Sequence, residues 1–333
     1  MRANDIGCTQ TWFDVWFDAF GNDRTGFFSS DGVSIAYEKY AMKIGVYSLA
    51  VLKGAVNDHT PRYDVLGTEF DAGSVLNKVM SENAVSMLRF DYLSHDSILF
   101  NSLENRPGKL LYHIDECEKS PRVDCTGNWD EYWTGRGSTR KTWERRERKL
   151  LDRMGAEYLV LNGWEEVEPI LEEVYDVECS GWKGQQGSGI KQNADVKKFY
   201  TKLIQHWAET DQLRLCILRY ENRIIAFQIN VLVQGVLYML KIGFLDELSS
   251  LSPGQALQTQ ILRWAFHQPE ISIFDMLGGG GEAFATKMKW ATHAEQLSTL
   301  LVFKRSFLGR LAWLRYVIAP IIKQRFMRQS KGN

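Results

Sequence analysis

Three β-type runs follow one another with almost no chain between them: Leu213–Glu221 (LRLCILRYE), Arg223–Gln234 (RIIAFQINVLVQ) and Val236–Leu245 (VLYMLKIGFL). They join at Glu221-Asn222 and at Gln234-Gly235, hairpin-length connections that leave little choice but an antiparallel meander. Around the meander the periodicity changes. EYLVLN before it reads as a strand, and Trp164–Val177 and Asp195–Glu209 read as helices. After it come a helix (Gly254–His267), a strand (Ile271–Leu277), a glycine cluster, a short helix (Glu282–Ala291) and a last strand (Gln296–Val302). The order strand-helix-helix-β-β-β-helix-strand-helix-strand predicts an α/β (α+β) fold with a mixed central sheet flanked by helices.

The first part of the chain offers the later portion of that order. TWFDVWFDAF (residues 11–20) carries apolar side chains at helical spacing and stops at Gly21. The runs VSIAYEKY, KIGVYSLAVL and RYDVL read as strands. They are followed by a helix (Gly73–Asn83), a strand (Val85–Tyr92), a helix (Ser97–Asn105) and a strand (Lys109–Ile114). No residue-level repeat links the halves, so duplication rests on element order alone. The expected layout is residues 1–128 as a first half, 129–154 as a charged connecting helix or helix pair, 155–303 as a second half, and 304–333 as a tail. In the connector, Arg, Lys and Glu recur at three- and four-residue spacing, which predicts a solvated face.

Composition narrows the function. Forty Lys+Arg against 41 Asp+Glu leave a formal charge of -1, so the chain as a whole is not built to hold DNA. The five cysteines, Cys8, Cys117, Cys125, Cys179 and Cys216, form no CxxC pair and lack histidines at ligand spacing. They read as reduced thiols, with no metal expected. Met1 to Gln10 has no apolar stretch of the secretory kind, and no run approaches 18 uncharged apolar residues. A cytoplasmic protein is expected.

Three segments carry candidate chemistry. In Leu251-Ser252-Pro253-Gly254-Gln255-Ala256 a strand ends, a polar loop follows, and Pro-Gly opens a helix; backbone N–H groups at such a start suit a pyrophosphate, although ordinary helix starts look the same. In FDMLGGGGEAFATKMKW, Asp275 ends a strand, four glycines follow, and Lys287 and Trp290 share one side of a helix. The spacing is not that of a dinucleotide site. In Ser180-Gly181-Trp182-Lys183-Gly184, an aromatic face and a cation stand between glycines and could meet an anionic acceptor, or the Trp could anchor a loop.

These motifs resemble the GNAT acyltransferases and, more narrowly, the CelD/BcsL family of acetyltransferases named for cellulose and exopolysaccharide biosynthesis. The resemblance rests on WFDAFG, RKTWERRERKL followed by Gly155, SGWKG, and SPGQAL paired with a glycine-rich K-x-x-W, from about Trp12 to Val302. It implies tandem GNAT-like halves, the first degenerate and the second using acetyl-CoA or another acyl-CoA, with Leu251, Ser252, Pro253, Gly254, Gln255, Ala256 and Lys287 toward the coenzyme. Trp182, Lys183 and Trp290 would face the acceptor. The usual signature Q/R-x-x-G-x-G/A loses its middle glycine here, and Thr286-Lys287 stands where the family has Tyr-Lys.

The implied mechanism is direct acyl transfer to an amine or hydroxyl, with backbone N–H groups around Lys241 to Phe244 polarising the carbonyl. Asp275, Glu282 and Asp246 are candidate bases, and Lys241 could steer an anion. The acceptor classes are a sugar, nucleotide-sugar, amino acid or lipid-linked precursor. Two alternatives stay open: a Fem-type aminoacyl-tRNA-dependent transferase, disfavoured because Glu144 and Glu147 interrupt the basic run Arg136–Arg153, and a non-catalytic scaffold of a polysaccharide-synthesis complex. The tail Phe303–Asn333 carries eight Lys and Arg and no acid, so the remainder holds -9, that is -1 less +8. Its interleaved apolar residues suit either packing on the protein or peripheral contact with the inner face of an anionic membrane.

Overall fold

The computed structural model describes residues 5–105, 108–181, 189–279 and 281–320. Contacts divide the chain into two units: Met1–Phe17 with Gly21–Glu118 and Gln296–Asn333, and Asp18–Phe20 with Lys119–Glu295.

Helix α1 (Gln10–Phe20) buries Trp12, Phe13 and Trp16, and the Thr9 hydroxyl oxygen caps it by accepting the Trp12 N–H. Strands β1 (Thr25–Ser30), β2 (Val33–Ile44) and β3 (Tyr47–Gly54) form an antiparallel meander. The first turn places Asp31 and Gly32 at φ 52° and 76°, the left-handed pair a tight hairpin needs. The short β4 (Leu66–Gly67) adds to β2, and after α2 (Ala72–Glu82), β5 (Met87–Leu93) runs parallel to β3 from Val51↔Met87 to Lys53↔Arg89. Helix α3 (Ile98–Asn105) and β6 (Leu111–Asp124) follow.

The expected strand RYDVL is a loop until Leu66, because its side chains are committed to the interior. Tyr63 donates its hydroxyl to the Ala36 carbonyl at 2.8 Å, and the Asp64 carboxylate accepts the N–H groups of Ile98 (2.6 Å) and Leu99 (3.1 Å), capping α3. The strand expected at 109–114 runs on to Asp124, since its polar early residues lie exposed while Ser120 to Val123 are buried. TGFFSS, unassigned from the sequence, is β1.

In the second unit, α4 (Trp129–Thr134) and α5 (Gly137–Arg148) make the expected helix pair. Its face is less solvated than its composition predicts: Trp143 and Glu147 are buried, and α5 packs along a later helix. Then come β7 (Glu157–Leu161), α6 (Trp164–Val167) and α7 (Leu171–Cys179), the last two parted by a turn of tighter helix at Pro169. After α8 (Ala194–Glu209), the meander is β8 (Leu213–Tyr220), β9 (Arg223–Val233) and β10 (Val236–Phe244). Helix α9 (Pro253–Phe266), β11 (Ile273–Asp275), α10 (Gly281–Met288), β12 (His293–Phe303) and α11 (Phe307–Trp313) complete the chain.

The sheet order in this unit is β6-β11-β10-β9-β8-β7, and β12 belongs with β5 in the first unit. That placement differs from the boundaries expected at 128, 155 and 303. Arg122–Asp124 pair with β11, and Leu300–Phe303 pair with β5, so each half closes its sheet with a strand from the far side of the sequence boundary. From α11 to Ile318 the tail packs Leu308, Ala312, Trp313 and Val317 on Leu49, Val51, Met87 and Phe303. The cations from Lys323 onward lie outside the described residues. Among those described, no helix is long and apolar enough to cross a membrane.

Burial pushes the Asp64 carboxyl up to about 7, against the lowering effect of the N–H groups it accepts. Its folded value exceeds its unfolded one, so the folded state holds the proton more tightly. The associated stability is full below pH about 4 and is lost as pH rises to about 7. Asp64→Asn should flatten this decline, read as the urea midpoint at pH 5 and pH 8; an equal slope in both proteins contradicts it.

Candidate active site

Strand β10 pairs with β11 only from Val236↔Ile273 to Tyr238↔Asp275. There β11 ends, while β10 runs six residues further with its other edge still on β9. A register shift between Met239 and Lys241 bulges Leu240 where the parallel pair parts. Two strands that part in this way leave a cleft into which an extended ligand can insert.

Helix α9 begins beside the far end of β10. Ser252 adopts the left-handed conformation, φ 55° and ψ 52°, and its carbonyl takes the N–H groups of Gln255 and Ala256. Pro253 has no N–H, no side chain caps the helix, and the Gly254 N–H has no acceptor among the described residues. A β-carbon at Gly254 would stand 3.3 Å from the Phe244 ring, so the residue keeps the ground between helix start and strand end open. Arg146 of α5 donates to the Gln255 side-chain oxygen, bringing a cation to the first turn. Glu147 fixes that approach by accepting both Arg263 Nη atoms, at 2.7 and 3.1 Å, and the Gln260 amide.

A polar set lies against β10, of which the sequence singled out Lys241 and Ser180 but not Glu178 or Gly243. Lys241 sits with its ammonium 4.9 Å from the Tyr200 ring centroid. Gly243 packs on Glu178: a β-carbon there would lie 3.1 Å from the Glu178 Cα and 2.5 Å from the Phe227 ring. The buried Glu178 carboxylate accepts the Ile190 N–H at 2.7 Å. Ser180 donates its hydroxyl to the Phe244 carbonyl at 2.9 Å, which ties the start of the SGWKG motif to the end of β10. Only the glutamate's position on α7, with no spacing signal, precedes this cluster in the sequence. Trp182 and Lys183 lie outside the described residues.

The other sequence candidates fall in different places. Asp275 is fully buried: Oδ2 takes Arg122 Nε at 2.7 Å, and Oδ1 takes the Ser120 hydroxyl and the Leu277 N–H. A carboxylate so occupied is a structural anion and not a base waiting for a proton. Glu282 and Asp246 are exposed, on α10 and after β10. Lys287 turns back on the glycine segment and donates to the carbonyls of Leu277 (3.1 Å) and Gly278 (2.6 Å). Trp290, expected toward the acceptor, is buried and stacks on Trp143 with centroids 3.5 Å apart and planes 4° apart. Its packing with Trp133 and Trp143 removes it from contact with a ligand. Burial pushes the Cys125 and Cys216 thiols up to about 12, which leaves both as poor nucleophiles. Among the described residues no cluster of His, Cys, Asp and Glu could hold a metal ion.

Residues 137–286 match the acetyltransferase (GNAT) domain family. Comparison with curated proteins finds no match. Among solved structures, a conserved protein of unknown function from Bacteroides thetaiotaomicron aligns at TM-score 0.56 and 11% identity, over 88% of this chain and 90% of that one. The C-terminal DUF2156 domain of an Agrobacterium fabrum protein assigned as a lysylphosphatidylglycerol synthetase gives 0.55 and 14%, over 90% of each. L-PGS from Bacillus licheniformis gives 0.53 and 14%, over 92% and 96%. These likenesses are of fold. The family match concerns residues 137–286, somewhat under half of the chain.

If Trp290 is packing, Trp290→Ala should destabilise the protein by about 3–5 kcal/mol. Urea unfolding reads this directly, and a shift below about 1 kcal/mol would return Trp290 to the ligand-facing set.

Proposed function

We propose that this chain, through the GNAT domain at residues 137–286, transfers an acyl group from acetyl-CoA or a longer acyl-CoA to an amine or hydroxyl on a small acceptor. The observation that carries the reading is the joint placement of two features: the parting of β10 from β11 after Tyr238, and an uncapped helix start at Pro253-Gly254 beside the same strand's end.

The residues fit an acyl-CoA. Leu251 to Ala256 would hold its pyrophosphate through backbone N–H groups and the positive end of α9, with Arg146 adding a charge that Glu147 keeps in place. Gly254 supplies the open approach that any larger residue would fill. Bound there, the group supplies an activated acyl thioester. Lys287, by gripping the carbonyls of Leu277 and Gly278, sets the path of the glycine segment where the strands part. Backbone N–H groups from Lys241 to Phe244 are the donors proposed for charge developing on a carbonyl oxygen. On the acceptor side, Lys241 steers an anionic group and Glu178, beside Gly243, is the carboxylate placed to take the acceptor's proton. Glu282 is the exposed second choice for that proton.

The resemblance to the CelD/BcsL family makes a glycan or lipid-linked precursor the preferred acceptor. A Fem-type reading would require transfer from a charged tRNA, and a scaffold would require neither donor.

Calorimetry with acetyl-CoA and longer acyl-CoAs tests the donor. Gly254→Val should abolish binding in a folded protein, and Arg146→Met should weaken it about tenfold. Unchanged affinity in Gly254→Val would sink the assignment. Once turnover is measurable, Glu178→Gln should lower kcat at least tenfold while leaving acyl-CoA affinity intact. Retained turnover moves the role to Glu282.

A further inference from the structure

The first unit holds a pocket of about 610 Å³ that the acyl-transfer reading does not use. Its floor is one face of the sheet. Along β2, β3, β5 and β12 that face begins apolar, with Met42, Leu49, Val51, Met87, Leu301 and Phe303 packed under the tail helix. Two residues further on in each strand it turns polar: Tyr40 and Glu38, Lys53, Arg89 and Asp91, and Thr299. A sheet face covered by a helix has no packing reason to change character in mid-strand, and here the polar part, Thr299 apart, lines the pocket. The parallel pairing of β3 with β5 also stops there, at Lys53↔Arg89.

The charges on this floor largely cancel. Lys53 pairs with Glu38 at 3.0 Å, and Arg89 Nε with Asp91 at 2.7 Å, while Thr299 donates to the other Asp91 oxygen at 2.6 Å. The rim is different. Asp58, in the turn after β3, and Glu118, midway along β6, line the same pocket, and neither makes an ion pair among the described residues. The lining therefore totals four carboxylates against two cations, a formal -2 that resides on Asp58 and Glu118. Burial, and after it the nearby negative groups Glu118, Asp91 and Asp58, push the Tyr92 phenol up. Tyr92 itself sits at φ 61°, a conformation that a bulky residue adopts only when its surroundings enforce it. Tyr92 and Tyr40 are the two aromatic residues of the lining.

We infer that this pocket binds a small organic ammonium, held between the Asp58 and Glu118 carboxylates and the Tyr40 and Tyr92 rings. A positive group balances the rim charge and is attracted by aromatic faces, whereas a phosphate or carboxylate meets a net negative wall. A linear molecule with an ammonium at one or both ends fits the volume with room for a longer substituent.

Three four-carbon probes that differ only in their end groups test this: putrescine, 1,4-butanediol and succinate, titrated calorimetrically into the full chain. Putrescine should bind, the other two should not, and added salt should weaken binding. Asp58→Asn with Glu118→Gln should lower putrescine affinity at least tenfold. Asp58 lies in an exposed turn, so Asp58→Asn alone should stay folded and still give a several-fold loss. The inference is overturned by equal binding of butanediol or succinate, by unchanged affinity in the double variant, or by no putrescine binding up to about 10 mM. Putrescine binding that survives Gly254→Val separates this site from the acyl-CoA cradle.

Discussion

The second unit depends on one buried ion pair. Arg122, near the end of β6, and Asp275, the last residue of β11, meet at 2.7 Å with both side chains almost wholly out of water. Removing either partner would strand a charge in the interior, a loss of about 3–5 kcal/mol. The pair does more than join two strands. Asp275 Oδ1 also takes the Leu277 N–H at 2.8 Å, and Leu277 stands at φ 55°. That local bond bends the chain off the sheet directly after β11, which is why the strand is three residues long. Because β11 stops, β10 runs on without it. Glu295 and Thr292 close the arrangement from the other end of α10, on the Arg122 guanidinium and carbonyl respectively.

Helix α5 plays the complementary part. Its buried Glu147 holds Arg263 and Gln260 of α9, and its Trp143 stacks on Trp290 beyond α10. One helix thus grips the two that flank the cleft, by charge on one turn and by aromatic contact on another. The stack extends through Trp133 to Trp129, and Tyr132 donates its hydroxyl to the Trp290 carbonyl at 2.7 Å. A helix tied this firmly can present Arg146 to the start of α9 without losing much side-chain freedom on ligand binding.

This division explains what could be read from the sequence. Periodicity and hairpin connections announced the β8–β10 meander, α8 and α9, because those signals are local. The charged connector misled, since a helix carrying five Lys or Arg between Arg140 and Arg148 buries its one tryptophan and one glutamate through partners more than a hundred residues away. Asp275 looked like a base because a carboxylate at a strand end suits that role; only Arg122, 153 positions earlier, shows that it is already paired. The crossing of β6 and β12 over the expected boundary was equally hidden, because edge-strand partnership leaves no mark in a single sequence. Gly243 and Glu178 were missed for a similar reason: their contact joins two elements whose separate patterns are ordinary.

The two units share a local design and differ in its electrostatics. In each, a three-stranded meander leads through a helix to a strand parallel with the meander's last, and that parallel pairing is three residues long. In the second unit the helix starts at Ser252-Pro253 with no side-chain cap, and Arg146 stands at its first turn. In the first, Asp71 caps the corresponding helix by accepting the Ser74 N–H at 2.9 Å. An anion approaching that start would displace a carboxylate already in place and meet its charge, with Glu69 two residues before it. The two helix starts therefore favour opposite partners: Asp71 closes the first to an anion, and the pocket in the same unit carries carboxylates on its rim.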